Sequence, residues 1–157
     1  MSGRPTPLET KIPPPLVMLG VAALMWMCSR QWPWFVIGTS WRFPLALAIA
    51  VAALILGAMS VLPLRRARTV LSPMRPQDSS ALITSGPYRY SRNPMYVGLA
   101  LLLLAWAVWL GHWPAGSLLL LFVAYVDRFQ IRAEERALSA RFGAEYAAYR
   151  MRVRRWL

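Results

Sequence analysis

Asn93–Val126 reads NPMYVGLALLLLAWAVWLGHWPAGSLLLLFVAYV, 34 residues without a formal charge. One helix of that length overshoots a bilayer, and two full crossings need about 40 residues. The internal Leu110-Gly111-His112-Trp113-Pro114 is a turn signal, because glycine accepts a positive φ and proline cannot continue a helix. The stretch therefore reads as a tight helical hairpin with arms at 94–110 and 113–127. Its short second arm is explained if that helix leaves the membrane as Asp127-Arg128-Phe129-Gln130-Ile131-Arg132-Ala133-Glu134-Glu135.

Two more apolar runs precede the hairpin. Ile12–Ser29 has 18 uncharged residues, giving a span at 13–29 with Arg30, Trp32 and Trp34 at its interface. Phe43–Leu64 has 22 and is the clearest span; Gly57, Ala58 and Ser60 offer small side chains for close helix packing. Pro13-Pro14-Pro15 stand before the first run and no small-residue cleavage site follows it, so it reads as retained. Met1–Lys11 reads as a loosely ordered polar tail.

Of the 18 Lys and Arg, 16 lie in the N-terminal tail, the 65–92 loop or the 127–157 tail; Arg30 and Arg42 are the others. The positive-inside rule then predicts an all-α membrane protein with four spans and both termini cytoplasmic, in a bacterial inner membrane. Arginines flanking apolar runs, together with 8 tryptophans, fit lipid headgroups and exclude a nucleic-acid groove. Cys28 and His112 are the lone residues of their types, so neither a disulfide nor a His/Cys metal site is expected. Cys28 reads as a small buried hydrophobe.

Leading into the hairpin is Thr84-Ser85-Gly86-Pro87-Tyr88-Arg89-Tyr90-Ser91-Arg92-Asn93-Pro94-Met95-Tyr96. Gly86-Pro87 is a turn, and Asn93-Pro94 a helix start with a capping side chain and proline at the first position. Its arginines and tyrosines read either as an interfacial anchor or as part of a site. At 28 residues the basic 65–92 loop, with Thr69, Pro73, Pro76 and Asp78, is long enough to be functional. Beyond the hairpin, Leu138, Phe142, Tyr146, Tyr149 and Val153 recur at helical spacing, the face of an amphipathic or membrane-surface helix that Gly143 interrupts.

Acids are scarce, and Glu134-Glu135 are two of the six. By spacing, the pair is an exposed helix face offsetting Arg128, Arg132 and Arg136. The functional reading has a carboxylate meeting a cationic or hydroxyl-bearing ligand whose anionic parts arginines take. No Gly-rich nucleotide loop, P-loop or Ser/His/Asp set is present, so a reaction with an already activated donor suits this inventory.

Two motifs carry a specific resemblance. Leu82-Ile83-Thr84-x-Gly86-Pro87-Tyr88-x-x-x-Arg92-Asn93-Pro94-x-Tyr96-x-Gly98 and Arg132-x-Glu134-Glu135-x-x-Leu138, then Phe142-Gly143-x-x-Tyr146-x-x-Tyr149, resemble the signature of the isoprenylcysteine carboxyl methyltransferases. That family belongs with the phospholipid N-methyltransferases. The resemblance covers about residues 69–157, with cofactor motifs at 82–98 and 128–149.

It implies S-adenosylmethionine held without a Rossmann fold at the cytoplasmic helix ends. By matching positions, Leu82, Ile83, Thr84, Gly86, Tyr88, Arg92, Asn93, Pro94 and Tyr96 would form the cofactor pocket with Glu134 and Glu135. Arg128 or Arg132, with Glu135, would serve the reaction, one arginine taking an anionic group of the acceptor. The acceptor would be lipid-like or prenylated, methylated on a carboxylate or on a headgroup amine. The eukaryotic carboxyl methyltransferases have histidine where this chain has Asn93, which cannot change charge near neutral pH. Two rivals are a steroid-reductase-type enzyme using NADPH and a small transporter, although no span carries the acid a transporter uses for coupling.

Overall fold

The computed structural model describes residues 12–32, 34, 38, 40–66 and 81–157. The expectations for Met1–Lys11 and for Thr69, Pro73, Pro76 and Asp78 fall outside them. Within the described residues the protein is helical, without a strand: α1 (Pro14–Gln31), α2 (Arg42–Arg66), a 3₁₀ turn (Gly86–Arg89), α3 (Pro94–Leu110), α4 (Trp113–Gly116), α5 (Leu118–Val126), a π segment (Asp127–Ile131) and α6 (Arg132–Arg152).

The expected hairpin forms at the expected residues. α3 ends at Gly111 in the left-handed conformation (φ 62°), whose N–H closes onto Ala107 and Val108. Arg42 at the start of α2 lies flat over that glycine and donates from Nη1 to the Leu110 carbonyl at 3.1 Å. A Cβ at Gly111 would fall 1.6 Å from Nη1, so a larger residue would have to displace the guanidinium and would also be strained at this positive φ. His112 is buried and caps α4: Nδ1 accepts from the Ala115 N–H at 3.0 Å, and Nε2 donates to the Trp32 carbonyl at 3.0 Å. The lone histidine is thus committed to tying the hairpin turn to the end of α1.

From Trp113 to Arg152 the chain follows one 40-residue helical path, carrying the second arm out of the apolar zone as expected. Gly143 (φ 48°, ψ −117°) kinks α6 where a break was foreseen. The core joins Val21 and Met25 of α1, Tyr96 and Leu103 of α3, Ala115 of α4, Phe122 and Val126 of α5, and Ile131. Cys28 is half-buried against it. α2 packs chiefly on α3, where Ala53 and Ser60 are buried and the Gly57 backbone approaches Gly98.

Much of α2 is exposed, including Leu47, Val51, Leu54, Ile55, Met59 and Leu62. In water each such side chain would forgo about 1.5–3 kcal/mol of burial, a loss that disappears in hydrocarbon. Arg42–Arg66 and the Trp113–Arg152 path are long and apolar enough to cross a bilayer. α3, with 17 residues, is shorter.

The α2–α3 contact is tight enough to test. A Cβ at Gly98 would sit 3.4 Å from the Ala53 carbonyl, whereas one at Gly20 meets nothing within 4 Å. Gly98→Leu should therefore lower the thermal midpoint in detergent, with a cost of about 1–3 kcal/mol. Gly20→Leu should leave it unchanged. Equal effects would remove the close approach as a packing determinant.

Candidate functional site

A cavity of about 600 Å³ opens where the 81–96 segment, α2, α3 and α6 meet. One end is apolar, formed by Leu54, Gly57, Ala58 and Val61 of α2 with Gly98, Leu99 and Leu102 of α3. The other end is polar and aromatic: Tyr88, Arg92, Asn93 and Tyr96 face Glu134, Glu135, Tyr146 and Tyr149 of α6. Pro13, Pro14 and Pro15 close a side, and Gln130 fixes them there by donating from Nε2 to the Ile12 carbonyl at 2.8 Å.

The two motifs, some forty residues apart, are thereby brought together. Leu82, Ile83, Tyr88, Arg92, Asn93, Pro94, Tyr96, Glu134 and Glu135 all line the cavity. Thr84 and Gly86 are exposed and do not; Gly86 instead supplies the positive φ (61°) that starts the 3₁₀ turn. Arg128 and Arg132 are also exposed and outside the lining, and Arg132 pairs with Asp127 (Nε to Oδ2, 3.2 Å). The arginines beside the acid pair are Arg92 and Arg155.

Glu135 is buried, which overturns its reading as part of an exposed offsetting pair. Arg92 donates from Nη1 to its Oε1 at 2.7 Å. Arg155 donates from Nη2 to Oε2 at 2.6 Å and from Nε to Oε1 at 3.1 Å, a forked contact that only guanidinium geometry provides. Nη1 of Arg155 reaches Asp127 at 3.1 Å, tying α6 back to the π segment.

Glu134 is the other carboxylate of the lining, and the Tyr96 hydroxyl donates to it. It lies about two turns beyond the last apolar residues of α5. Burial pushes its carboxyl up to about 7, Glu135 adds to that, and the Tyr96 hydrogen bond works against it. Burial and Glu134 together raise the Tyr88 hydroxyl, and burial first lifts Tyr149 to about 12. These phenols stay neutral, and Tyr149 donates to the Tyr88 carbonyl at 2.8 Å.

Asn93 corrects another expectation. It occupies the N-cap of α3, but its side chain caps nothing. Instead Nδ2 donates to the Arg155 carbonyl at 2.9 Å, while the Arg92 N–H donates to the Arg154 carbonyl at 2.9 Å. Pro94 at the first helical position starts the helix regardless. The face built by Leu138, Phe142, Tyr146, Tyr149 and Val153 packs with Leu82, so it serves the protein's own interior rather than a membrane surface.

Arg155 and Asp127 were not foreseen as site residues. Sequence spacing holds no sign of their reach, since Arg155 lies 20 residues beyond Glu135 and past the end of α6. Tyr146 and Tyr149 stood in the second motif and their helical spacing was visible; both lie beyond the Gly143 kink and line the cavity.

The cavity's inventory fits a zwitterionic sulfonium cofactor. Tyrosine faces and Glu134 suit positive charge, and Arg92, whose buried Nε has no hydrogen-bond partner among the described residues, supplies the charge that suits a carboxylate. Among the described residues no His, Cys, Asp and Glu group has the makings of a metal site.

A family model described as phospholipid methyltransferase matches residues 41–145. The match takes in α2, which the two motifs leave out, and stops just before Tyr146. A Haemophilus influenzae protein described as uncharacterized is 46% identical over 63 residues, 40% of this chain and the whole of that one. No solved structure matches.

The raised Glu134 carboxyl has a stability signature. Between about pH 4.5 and about pH 7 the unfolded chain has released this proton and the folded one has kept it, so stability falls as pH rises through that window and levels off above. Relative to Glu134→Gln, the thermal midpoint of the wild type should drop between about pH 5 and 7 and then run parallel. A constant difference across that range would show that Glu134 ionises at an ordinary pH.

Proposed function

The chain belongs to the phospholipid methyltransferase family, and on that premise we propose that it transfers a methyl group from S-adenosylmethionine to an amphiphilic lipid acceptor at the cytoplasmic membrane surface. The observation that carries this reading is the composition of one cavity. Its polar end gathers Glu134, Arg92 and buried tyrosines, and its apolar end is walled by α2, whose outer face suits hydrocarbon.

When bound, S-adenosylmethionine supplies a methyl group already activated on a sulfonium, so the protein's tasks are alignment and exclusion of water. Tyr88, Tyr96, Tyr146 and Tyr149 would surround the positive charge, Glu134 would pair with the cofactor's amine or ribose, and Arg92 Nε would hold its carboxylate. Leu82, Ile83 and Leu138, which line the cavity, would help exclude solvent. Asn93 contributes by holding the chain's end in place rather than through a charge change.

Of the two acceptor classes, a lipid headgroup amine is favoured over an isoprenylcysteine carboxylate. Arg92 and Arg155 are both engaged by Glu135, while Glu134 remains a carboxylate facing the cavity. An acceptor carboxylate would need a cation of its own, and Arg92, the arginine of the lining, already pairs with Glu135, whereas an amine needs none. Arg128 and Arg132 lie on the exposed side of the helix, where Arg128 would meet anionic headgroups at the membrane surface while Arg132 pairs with Asp127. α1, α2, α3 and the α4–α5 path would make four spans, with the basic termini and the cavity's polar end on the cytoplasmic side.

Purified protein in detergent should bind labelled S-adenosylmethionine and not NADPH. Glu134→Gln should weaken that binding about tenfold to a hundredfold while the protein stays monodisperse, the expected loss for a hydrogen bond to a charged group. NADPH binding alone would transfer the protein to the reductase reading. Reporter fusions should place both termini in the cytoplasm, and a C-terminus on the other side would break the single-face site.

A further inference from the structure

The chain ends in a strap that grips both halves of the cavity. After α6, Arg154 bridges to Ser91 in parallel, its carbonyl accepting from the Arg92 N–H. The Arg155 carbonyl accepts from Asn93 Nδ2 at 2.9 Å and Ser91 Oγ at 3.4 Å, and Trp156 packs against the main core. Arg155's backbone is thus held by the first motif while its guanidinium forks onto Glu135 of the second and extends to Asp127.

Glu134 and Glu135 are neighbours on one helix, and two adjacent carboxylates repel unless one is neutralised. Arg92 reaches Glu135 from the cavity side and Arg155 from beyond the helix end. Groups facing Glu134 are Tyr96 on α3, Tyr88 on the 3₁₀ turn and Glu135 beside it. Those facing Glu135 are Arg92, Arg155 and Tyr146. We infer that Arg155 is a positioning residue: by engaging Glu135 on both oxygens it divides the acid pair into one anchored carboxylate and one ligand-facing carboxylate, Glu134. Arg155 does not line the cavity, so it acts through Glu135. The inference rests on Glu134 being the carboxylate that meets the ligand.

Removing Arg155 takes away a positive charge and leaves Glu135 less compensated, and both changes favour the protonated form of Glu134. The test is an infrared titration of full-length protein in detergent, following the protonated carboxyl band that Glu134→Gln abolishes. Arg155→Gln should move its midpoint alkaline by about one pH unit. Arg155→Gln combined with Glu135→Gln should bring it back to or below the wild-type value, because the uncompensated charge is gone. Arg155→Lys, which keeps a charge but cannot span both carboxylates, should give a smaller shift in the same direction and serves if Arg155→Gln does not fold.

A folded Arg155 variant with an unmoved Glu134 midpoint overturns the proposal, as does a shift that the double variant fails to reverse. A merely structural role would lower thermal stability and leave the titration in place. Because the titration needs no ligand, S-adenosylmethionine binding measured in parallel judges the cofactor reading separately.

Discussion

Everything at the polar end of this molecule depends on Glu135 being held between Arg92 and Arg155. The first arginine comes from the segment before α3 and the second from beyond α6, so one buried carboxylate joins three stretches far apart in the chain. Burying such charges costs several kcal/mol per ion, and breaking a buried pair by removing one partner costs about 3–5 kcal/mol. Here the cost is offset by geometry: both carboxylate oxygens are occupied, and Arg155 is shared with Asp127. What the arrangement secures is position. It places Tyr88 and Tyr96 opposite Glu134 and leaves that carboxyl facing the cavity.

The apolar end follows a different rule. Gly98 and Gly57 let α3 and α2 approach at one level, while their small neighbours leave room along the cavity. The side chains of α2 that turn away from α3 are exposed and apolar, a surface that suits hydrocarbon. A lipid with a polar head needs both environments within one cavity, and the membership in the phospholipid methyltransferase family accords with that demand.

The hairpin turn and the bounds of its first arm were legible, because Pro94, Gly111 and Pro114 are backbone signals that act locally; the division of the second arm at Ser117 and the π segment from Asp127 were not. Gly143 was legible for the same reason. Arg42–Arg66 was clear from its apolar length, with its stop at Arg65-Arg66. At the site, the lining residues of both motifs came from the resemblance rather than from spacing. Spacing misled at Glu134-Glu135, where helical neighbours Arg128, Arg132 and Arg136 looked like partners; a tertiary pair with Arg92 and Arg155 prevails for Glu135 because burial strengthens it. Asn93 was read as a cap because capping is a local preference, and its real partner lies 62 residues away. Long-range arginine contacts from a chain end leave no periodic trace.

The central claim is that the 82–96 segment and α6 form a single S-adenosylmethionine site. Ultraviolet cross-linking of methyl-labelled cofactor to the protein, followed by peptide mapping, tests it most directly. Label should appear on both the peptide carrying Tyr88 and Tyr96 and the peptides carrying Glu134 to Tyr149, and excess unlabelled cofactor should compete it away. Label confined to peptides around His112, or to only one of the two motifs, would contradict the account.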